Sequence, residues 1–145
     1  MERLFQRPQE RERKLEKPKI VVFTLIINAH EYQGKEKVFE RSFELNGMKL
    51  MNDGIIGEVE IGTGSKNDLV LNNPFVNKKA GVIRVIKFGV KFNSIFINEC
   101  DKQARVGAKV VNPGDIIQVN NNDLIILGVK GNESLLKIRY SVKKG

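Results

Sequence analysis

The chain has 145 residues, of which 41% are hydrophobic and 29% charged, a balance typical of one globular domain that excludes a wholly disordered chain. Its 25 Lys and Arg residues outnumber 17 Asp and Glu residues, so the formal charge of +8 favours anionic partners without specifying one. The single cysteine, Cys100, excludes an internal disulfide, and with only one histidine, His30, the chain has no zinc cluster.

The first segment, residues 1–19, is dense in charges of both signs. Pro8 and Pro18 limit any helix there to the residues between them, and the segment has too few large apolar residues to bury a core face. We therefore predict a flexible charged arm at 1–19, or a short solvated helix between the prolines, followed by a folded domain at 20–145. Contact between this arm and phosphates stays open as an alternative, although its acidic residues cancel over half of its positive charge.

An apolar run follows the arm, from Ile20 to Ile27, and only Thr24 interrupts it. The run is far shorter than the roughly 20 residues that a membrane helix needs, so it predicts a buried strand. It also lacks the longer apolar core and the following small residues of a secretory signal. We expect a soluble, cytoplasmic protein, and we expect neither a metal nor a cofactor.

The next residues predict a hairpin with the first strand. Residues 31–35 have the composition of a turn, and residues 37–45 roughly alternate polar and apolar side chains, as a half-exposed strand does. His30 falls in the predicted connecting loop, with no nucleophile or paired carboxylates nearby, so it is not expected to act as a base or a metal ligand. Residues 46–47 (Asn-Gly) and 52–54 (Asn-Asp-Gly) are further turn signals.

Between residues 60 and 115 there are three segments in which a short, strand-like apolar run is interrupted by a cluster of Gly, Asn, Pro or Asp. They comprise 61–71 followed at once by 73–80, then 93–98, and finally 112–115. Such clusters between short strands are typical of loops that carry function. The close spacing of strands and turns, with no long 3.6-residue periodicity outside the arm, predicts an all-β fold.

The order and spacing of these segments resemble the forkhead-associated (FHA) domain, over roughly residues 20–142. The resemblance implies an FHA-like β-sandwich of two antiparallel sheets. It also implies a binding face at the loop tips, where members of the family bind phosphothreonine peptides.

The residues at the family's ligand positions are altered in this chain. Thr63 stands where the family usually has Arg, and residues 77–80 are Asn-Lys-Lys-Ala in place of Ser-Arg-x-His. The resemblance implies the usual ligand contacts at Thr63, Asn77, Lys78 and Asn93. Ser65 and Lys66, in the same glycine-rich loop as Thr63, complete the set of expected ligand-binding residues, and Lys66 adds positive charge. Thr63 offers a hydroxyl donor but no positive charge. A lysine ammonium cannot form the two parallel hydrogen bonds that an arginine guanidinium forms with a phosphate. Ala80 cannot brace the loop from within as the family's His does.

Asn93 is assigned by its similarity to a second family motif. Residues 93–99 resemble Asn-Gly-Thr-x-x-Asn-Gly, although Ser94 and Ile95 replace the first Gly and the Thr. In the family, the first Asn of this motif ties the loop to the peptide backbone. The resemblance therefore places Asn93 in a loop at the binding face.

The glycine-rich segment at residues 62–67 is not a nucleotide-binding P-loop. A P-loop needs four residues between its glycines, then Lys and Ser or Thr, and a helix, whereas a strand is predicted to follow here. A simpler interpretation of Gly62 and Gly64 is a turn with positive φ.

These patterns predict a protein-interaction module, an adaptor or scaffold, whose binding is phospho-independent or only weakly phosphothreonine-dependent. One alternative is a genuine phosphothreonine-peptide-binding domain in signalling. A second is a basic protein that contacts nucleic acid, although 7% aromatic residues and no Trp offer few side chains on which bases stack. No pairing of nucleophile and base and no carboxylate dyad emerges, so we do not expect an enzyme.

Overall fold

The computed structural model describes residues 20–50, 54–88 and 91–144, and these residues contain strands and turns without helices. The strands are β1 Ile20–Gln33, β2 Glu36–Leu50, β3 Gly54–Gly62, β4 Leu69–Val70, β5 Gly81–Phe88, β6 Lys91–Asn98, β7 Ala104–Val106, β8 Lys109–Val111, β9 Ile116–Val119, β10 Leu124–Val129 and β11 Asn132–Lys144. The all-β class predicted from the sequence is confirmed. None of the described residues forms a helix that is long and apolar enough to cross a membrane.

The strands form two sheets that face each other across one core. One sheet has six strands in the order β2-β1-β11-β10-β7-β8, and the other has five in the order β4-β3-β5-β6-β9. The short β4 pairs with β3 in parallel, a two-residue exception in the predicted sandwich of two antiparallel sheets. The other strand pairs whose register is described are antiparallel.

The core forms because alternate side chains of each strand point between the sheets. Leu25 and Ile27 of β1 and Ile138 of β11 are fully buried from one sheet, and Ile83 and Phe96 are fully buried from the other. Burial of one such side chain contributes roughly 1.5–3 kcal/mol relative to its exposure to water.

The predicted hairpin between β1 and β2 is confirmed, but both strands are longer than the sequence indicated. The turn is confined to Gly34 and Lys35, where Gly34 has a φ of 61°. His30 therefore lies in β1, not in a loop, and its Nε2 is 3.2 Å from a carboxylate oxygen of Glu40.

The turn expected at residues 46–47 is also wrong, because both residues lie inside β2. Asn46 pairs with Thr24 of β1, and the Thr24 hydroxyl donates a 3.0 Å hydrogen bond to the Asn46 side chain. Pairing with the long β1 satisfies the backbone and overrides the local turn preference. The predicted arm at 1–19 and most of the turn expected at 52–54 lie outside the described residues.

Candidate functional site

Two loops meet at the end of the sandwich where β3 ends and β5 begins. They are the β3–β4 loop, residues 63–68, and the β4–β5 loop, residues 71–80. The amide of Thr63 donates to the carbonyl of Asn77 at 3.1 Å, and the amide of Gly64 donates to the carbonyl of Lys78 at 3.1 Å. These two bonds hold the loops side by side, so the side chains of residues 63–66 and 77–79 share one surface.

Asn67 and Gly62 fix the approach of these loops to each other. The side-chain amide of Asn67 donates to the carbonyl of Gly64 at 2.8 Å and to that of Lys78 at 2.6 Å. A Cβ on Gly62 would overlap the same Lys78 carbonyl, so the close contact requires glycine. Neither Gly62 nor Gly64 has a positive φ, so the interpretation of these glycines as a positive-φ turn is wrong.

A groove of about 470 Å³ lies between the two loops. Among the residues that the structure describes, its lining includes Ser65 and three lysines, Lys66, Lys78 and Lys79, and Glu60 is the one carboxylate. Within the described part of the chain, none of the three lysines has a salt bridge or a hydrogen bond from its ammonium group. The groove therefore presents unpaired positive charge to solvent, which favours an anionic ligand.

The neutral donors predicted for the site are partly engaged within the protein. The hydroxyl of Thr63 donates to the carbonyl of Val76 at 3.1 Å, so its proton already has an acceptor. The side-chain oxygen of Asn77 accepts from the amide of Asp101 at 3.1 Å, while its amide nitrogen has no partner among the described residues. Ser65 is exposed and lines the groove.

A third loop, the β6–β7 loop at residues 99–103, lies beside the β4–β5 loop. Asn98 is buried and its side-chain amide donates to the carbonyls of Lys102 and Val111, at 3.1 and 2.9 Å. The ammonium of Lys102 lies 6.0 Å from the ring centroid of the exposed Phe75. No local sequence pattern predicts this contact, because Phe75 and Lys102 are far apart in the chain.

Asn93 does not lie in a loop, so its expected placement at the loop face is wrong. It lies inside β6, pairs with Ile86 of β5, and accepts a 3.3 Å hydrogen bond from Gln118. It is five residues from Asn98, which is the β6 residue at the loop end, and five strand residues span roughly 16 Å. The other five predicted contacts lie together on the two loops, and Asn93 lies apart from them.

Ala80 occupies the position where the family's His braces the loop, and its surroundings supply other contacts. The Ala80 carbonyl accepts from the amide of Glu99 at 3.0 Å and from the thiol of Cys100 at 3.2 Å. Burial, with a smaller contribution from the charge of Asp101, raises the pKa of Cys100 to about 11. The thiol therefore stays protonated at neutral pH and can act as a donor there.

The geometry defines a β-sandwich with three loops at one end, and a basic groove lies between two of them, the β3–β4 and β4–β5 loops. No protein-family model matches the sequence, and no curated protein matches it. Solved structures do match. The yeast splicing factor Pml1, described with its integration into the RES complex, has a TM-score of 0.61 and 13% identity, over 92% of this chain and 89% of its own.

Two other similar structures are FHA domains by name. An engineered FHA domain with a Myc-pTBD peptide has a TM-score of 0.60 and 16% identity, over 83% of this chain and 92% of that one. The MEK1 FHA domain has a TM-score of 0.54 and 13% identity, over 79% of this chain and 89% of its own. The chain therefore has the forkhead-associated fold, as its sequence motifs predicted.

Proposed function

We propose that this chain is a protein-interaction module that binds an acidic or phosphorylated segment of a partner protein in the groove between the β3–β4 and β4–β5 loops, without catalysing a reaction. The observation that carries the proposal is the convergence of Lys66, Lys78 and Lys79 on one groove, with no carboxylate paired to any of them in the described residues. The FHA domain solved with a Myc-pTBD peptide supports peptide binding as a use of this fold.

Phosphate is proposed to add only modestly to this binding. The Thr63 hydroxyl already donates its hydrogen bond to the Val76 carbonyl. A lysine ammonium attracts a phosphate as a point charge but cannot form the two parallel hydrogen bonds that an arginine guanidinium forms. The remaining neutral donors are the Ser65 hydroxyl and the Asn77 amide nitrogen. We therefore expect a preference of less than about tenfold for phosphothreonine over threonine, which corresponds to one ordinary contact.

Fluorescence anisotropy with labelled peptides tests this proposal. Three degenerate libraries are compared, one with phosphothreonine, one with threonine and one with both a threonine and flanking acidic residues, at low and moderate salt. We expect binding to the first and third libraries, and weaker binding to both as salt rises. A phosphothreonine preference above about a hundredfold would instead identify a dedicated phosphothreonine-binding domain.

Lysine substitutions connect binding to the groove. Lys78→Gln and Lys79→Gln are each expected to weaken binding of the acidic library by about three- to tenfold, because each removes one attractive charge. Lys109→Gln is the matched control, since Lys109 is exposed on β8 and does not line the groove. If the Lys109 variant loses as much affinity as the groove variants, general charge and not this site determines binding, and the proposal is wrong.

A further inference from the structure

The groove between the β3–β4 and β4–β5 loops contains a negative charge as well as its three lysines. Glu60 of β3 is exposed and lines the groove together with Lys66, Lys78 and Lys79. Within the described residues, the Glu60 carboxylate has neither a salt bridge nor a hydrogen bond. The groove therefore presents unpaired charges of both signs, which lie too far apart to form ion pairs with one another.

The surroundings of Glu60 make its end of the groove more negative. The Asp68 carboxylate accepts a 2.8 Å hydrogen bond from the backbone amide of Glu60, so a second negative charge lies beside the same residue. Across the sheet, Glu60 pairs with the apolar Val82 of β5. Arg84, two residues along β5, does not supply a counter-charge, because it is 2.8 Å from Glu58 and paired with it. This end of the groove consequently attracts cations.

The charges of opposite sign occupy separate ends of the groove. Glu60 is two strand residues, roughly 7 Å, from Gly62, where β3 ends. Gly62 lies against the backbone of Lys78, since a Cβ on Gly62 would overlap the Lys78 carbonyl. The backbone of the cationic end therefore begins roughly 7–10 Å from that of Glu60. An extended peptide spans this separation with about two to four residues.

We propose that the groove selects a dipolar segment of the partner protein, in which a basic residue lies about two to four positions from the acidic or phosphorylated residue. The lysines bind the acidic residue, and Glu60 binds the basic one. Glu60 is thus a specificity-determining residue, and this inference rests on the peptide binding proposed above for the same groove. A uniformly acidic segment is disfavoured, because it places a negative charge against Glu60.

The contribution of Glu60 is modest in affinity but differs in sign from that of general charge. An exposed ion pair strengthens binding by about two- to fivefold, because solvent and salt screen it. The formal charge of +8 attracts a peptide more strongly as the negative charge of the peptide increases. General charge therefore predicts that a lysine added to an acidic peptide weakens binding at every position. Contact with Glu60 predicts that a lysine at one position strengthens it.

A positional lysine scan, measured with the full chain by fluorescence anisotropy, tests the inference. The parent peptide is a member of the acidic library that binds and has no basic residue, and lysine replaces each of its uncharged residues in turn. We expect the lysine to weaken binding at most positions. At one position, about two to four residues from the acidic residue, it is expected to strengthen binding by about two- to fivefold.

Glu60→Gln connects this gain to the groove. The substitution retains the backbone amide that donates to Asp68, and it is expected to abolish the gain from the lysine. It is also expected to bind the parent peptide up to about threefold more tightly, because a repulsive charge is removed. Glu36→Gln is the matched control, since Glu36 is exposed and does not line the groove. The two substitutions change the net charge equally, but Glu36→Gln is expected to keep the position-dependent gain.

The possible failures of the inference and of the proposed function are distinguishable. If the parent peptide binds through Lys78 and Lys79 but no lysine position strengthens binding, the inference is wrong and the proposed function stands. A gain that persists in Glu60→Gln, or that disappears equally in Glu36→Gln, also overturns the inference. If none of the acidic and phosphothreonine libraries binds, the proposed function is wrong, and this inference is overturned with it.

Discussion

The hydroxyl of Ser134 donates a 2.8 Å hydrogen bond to the carboxylate of Glu31, although 103 residues separate the two in the chain. Glu31 is 2% exposed, and its second carboxylate oxygen accepts from the amide of Asn72 at 2.8 Å. The side chain of Asn73 in turn donates to the Ser134 hydroxyl at 3.1 Å. This buried network joins β1 and β11 of the six-stranded sheet to the start of the β4–β5 loop, whose other end lines the candidate groove.

Glu31→Gln is expected to destabilise the fold by about 1–3 kcal/mol. A glutamine replaces one accepting oxygen with a donating NH₂ group, which then faces either the Asn72 amide or the Ser134 hydroxyl. The free energy of unfolding in urea measures the loss. Glu36→Gln is the control, since Glu36 is exposed and expected to change stability by less than about 0.5 kcal/mol. Equal stability of the two variants would show that the buried network contributes little.

Gly62→Ala is expected to cost about 1–3 kcal/mol, because its Cβ would overlap the Lys78 carbonyl and press on the Asn67 side chain. Gly64→Ala is the comparison, since its Cβ would be 3.1 Å from the same carbonyl and a small shift relieves the contact. Urea unfolding should rank Gly62→Ala as clearly the more damaging substitution. The opposite ranking would contradict the close approach of the two loops.

Much of the architecture was predictable because it depends on local patterns. The apolar run in β1, the turn composition of residues 31–35 and the alternation in β2 predicted their hairpin, and its turn is present at Gly34 and Lys35. Turn chemistry of this kind acts within a few residues, so the sequence displays it directly.

The parts that could not be predicted depend on contacts between distant residues. Asn93 matched a loop motif, yet pairing with β5 and β9 makes its segment a continuous strand, and so the true β6–β7 loop begins only after Asn98. No sequence pattern predicts that Asn67 joins the two loops, because the Lys78 carbonyl to which its side chain donates is 11 residues away. Glycine is required at position 62 by the neighbouring Lys78 backbone and not by a positive φ of its own, and no local pattern displays such a contact.

Cys100 is expected to react slowly with iodoacetamide while the chain is folded. Burial raises the pKa of its thiol to about 11 from an ordinary value of 9.0, so at pH 8 the thiolate fraction falls by about a hundredfold. The rate of alkylation, followed by mass spectrometry, should rise to that of a free thiol when urea unfolds the chain. Rapid alkylation of the folded chain at pH 8 would contradict the burial of the thiol.

The raised pKa of Cys100 also predicts a loss of stability in alkaline solution. The folded state favours the protonated thiol, so its stabilising effect is complete below the unfolded pKa of about 9 and is lost as pH rises through about 11. Other groups titrate in this range, and Cys100→Ala isolates the thiol because it leaves them in place. The difference in unfolding free energy between wild type and Cys100→Ala should therefore shift against the wild type from pH 8 to pH 11. A difference that does not change with pH would contradict the prediction.

Ser94→Ala is expected to leave stability unchanged or to raise it by up to about 1 kcal/mol. Ser94 is fully buried in β6 between Val85 and Val119, and its hydroxyl has no hydrogen-bond partner among the residues that the structure describes. A buried hydroxyl without a partner carries a desolvation cost that alanine removes. Ser134→Ala is the matched control with the opposite expected sign, because it leaves Glu31 and Asn73 without their common partner and should cost about 1–3 kcal/mol. Urea unfolding of the two variants beside the wild type measures both effects, and a loss of more than about 1 kcal/mol in Ser94→Ala would indicate that the hydroxyl is hydrogen-bonded in the folded chain.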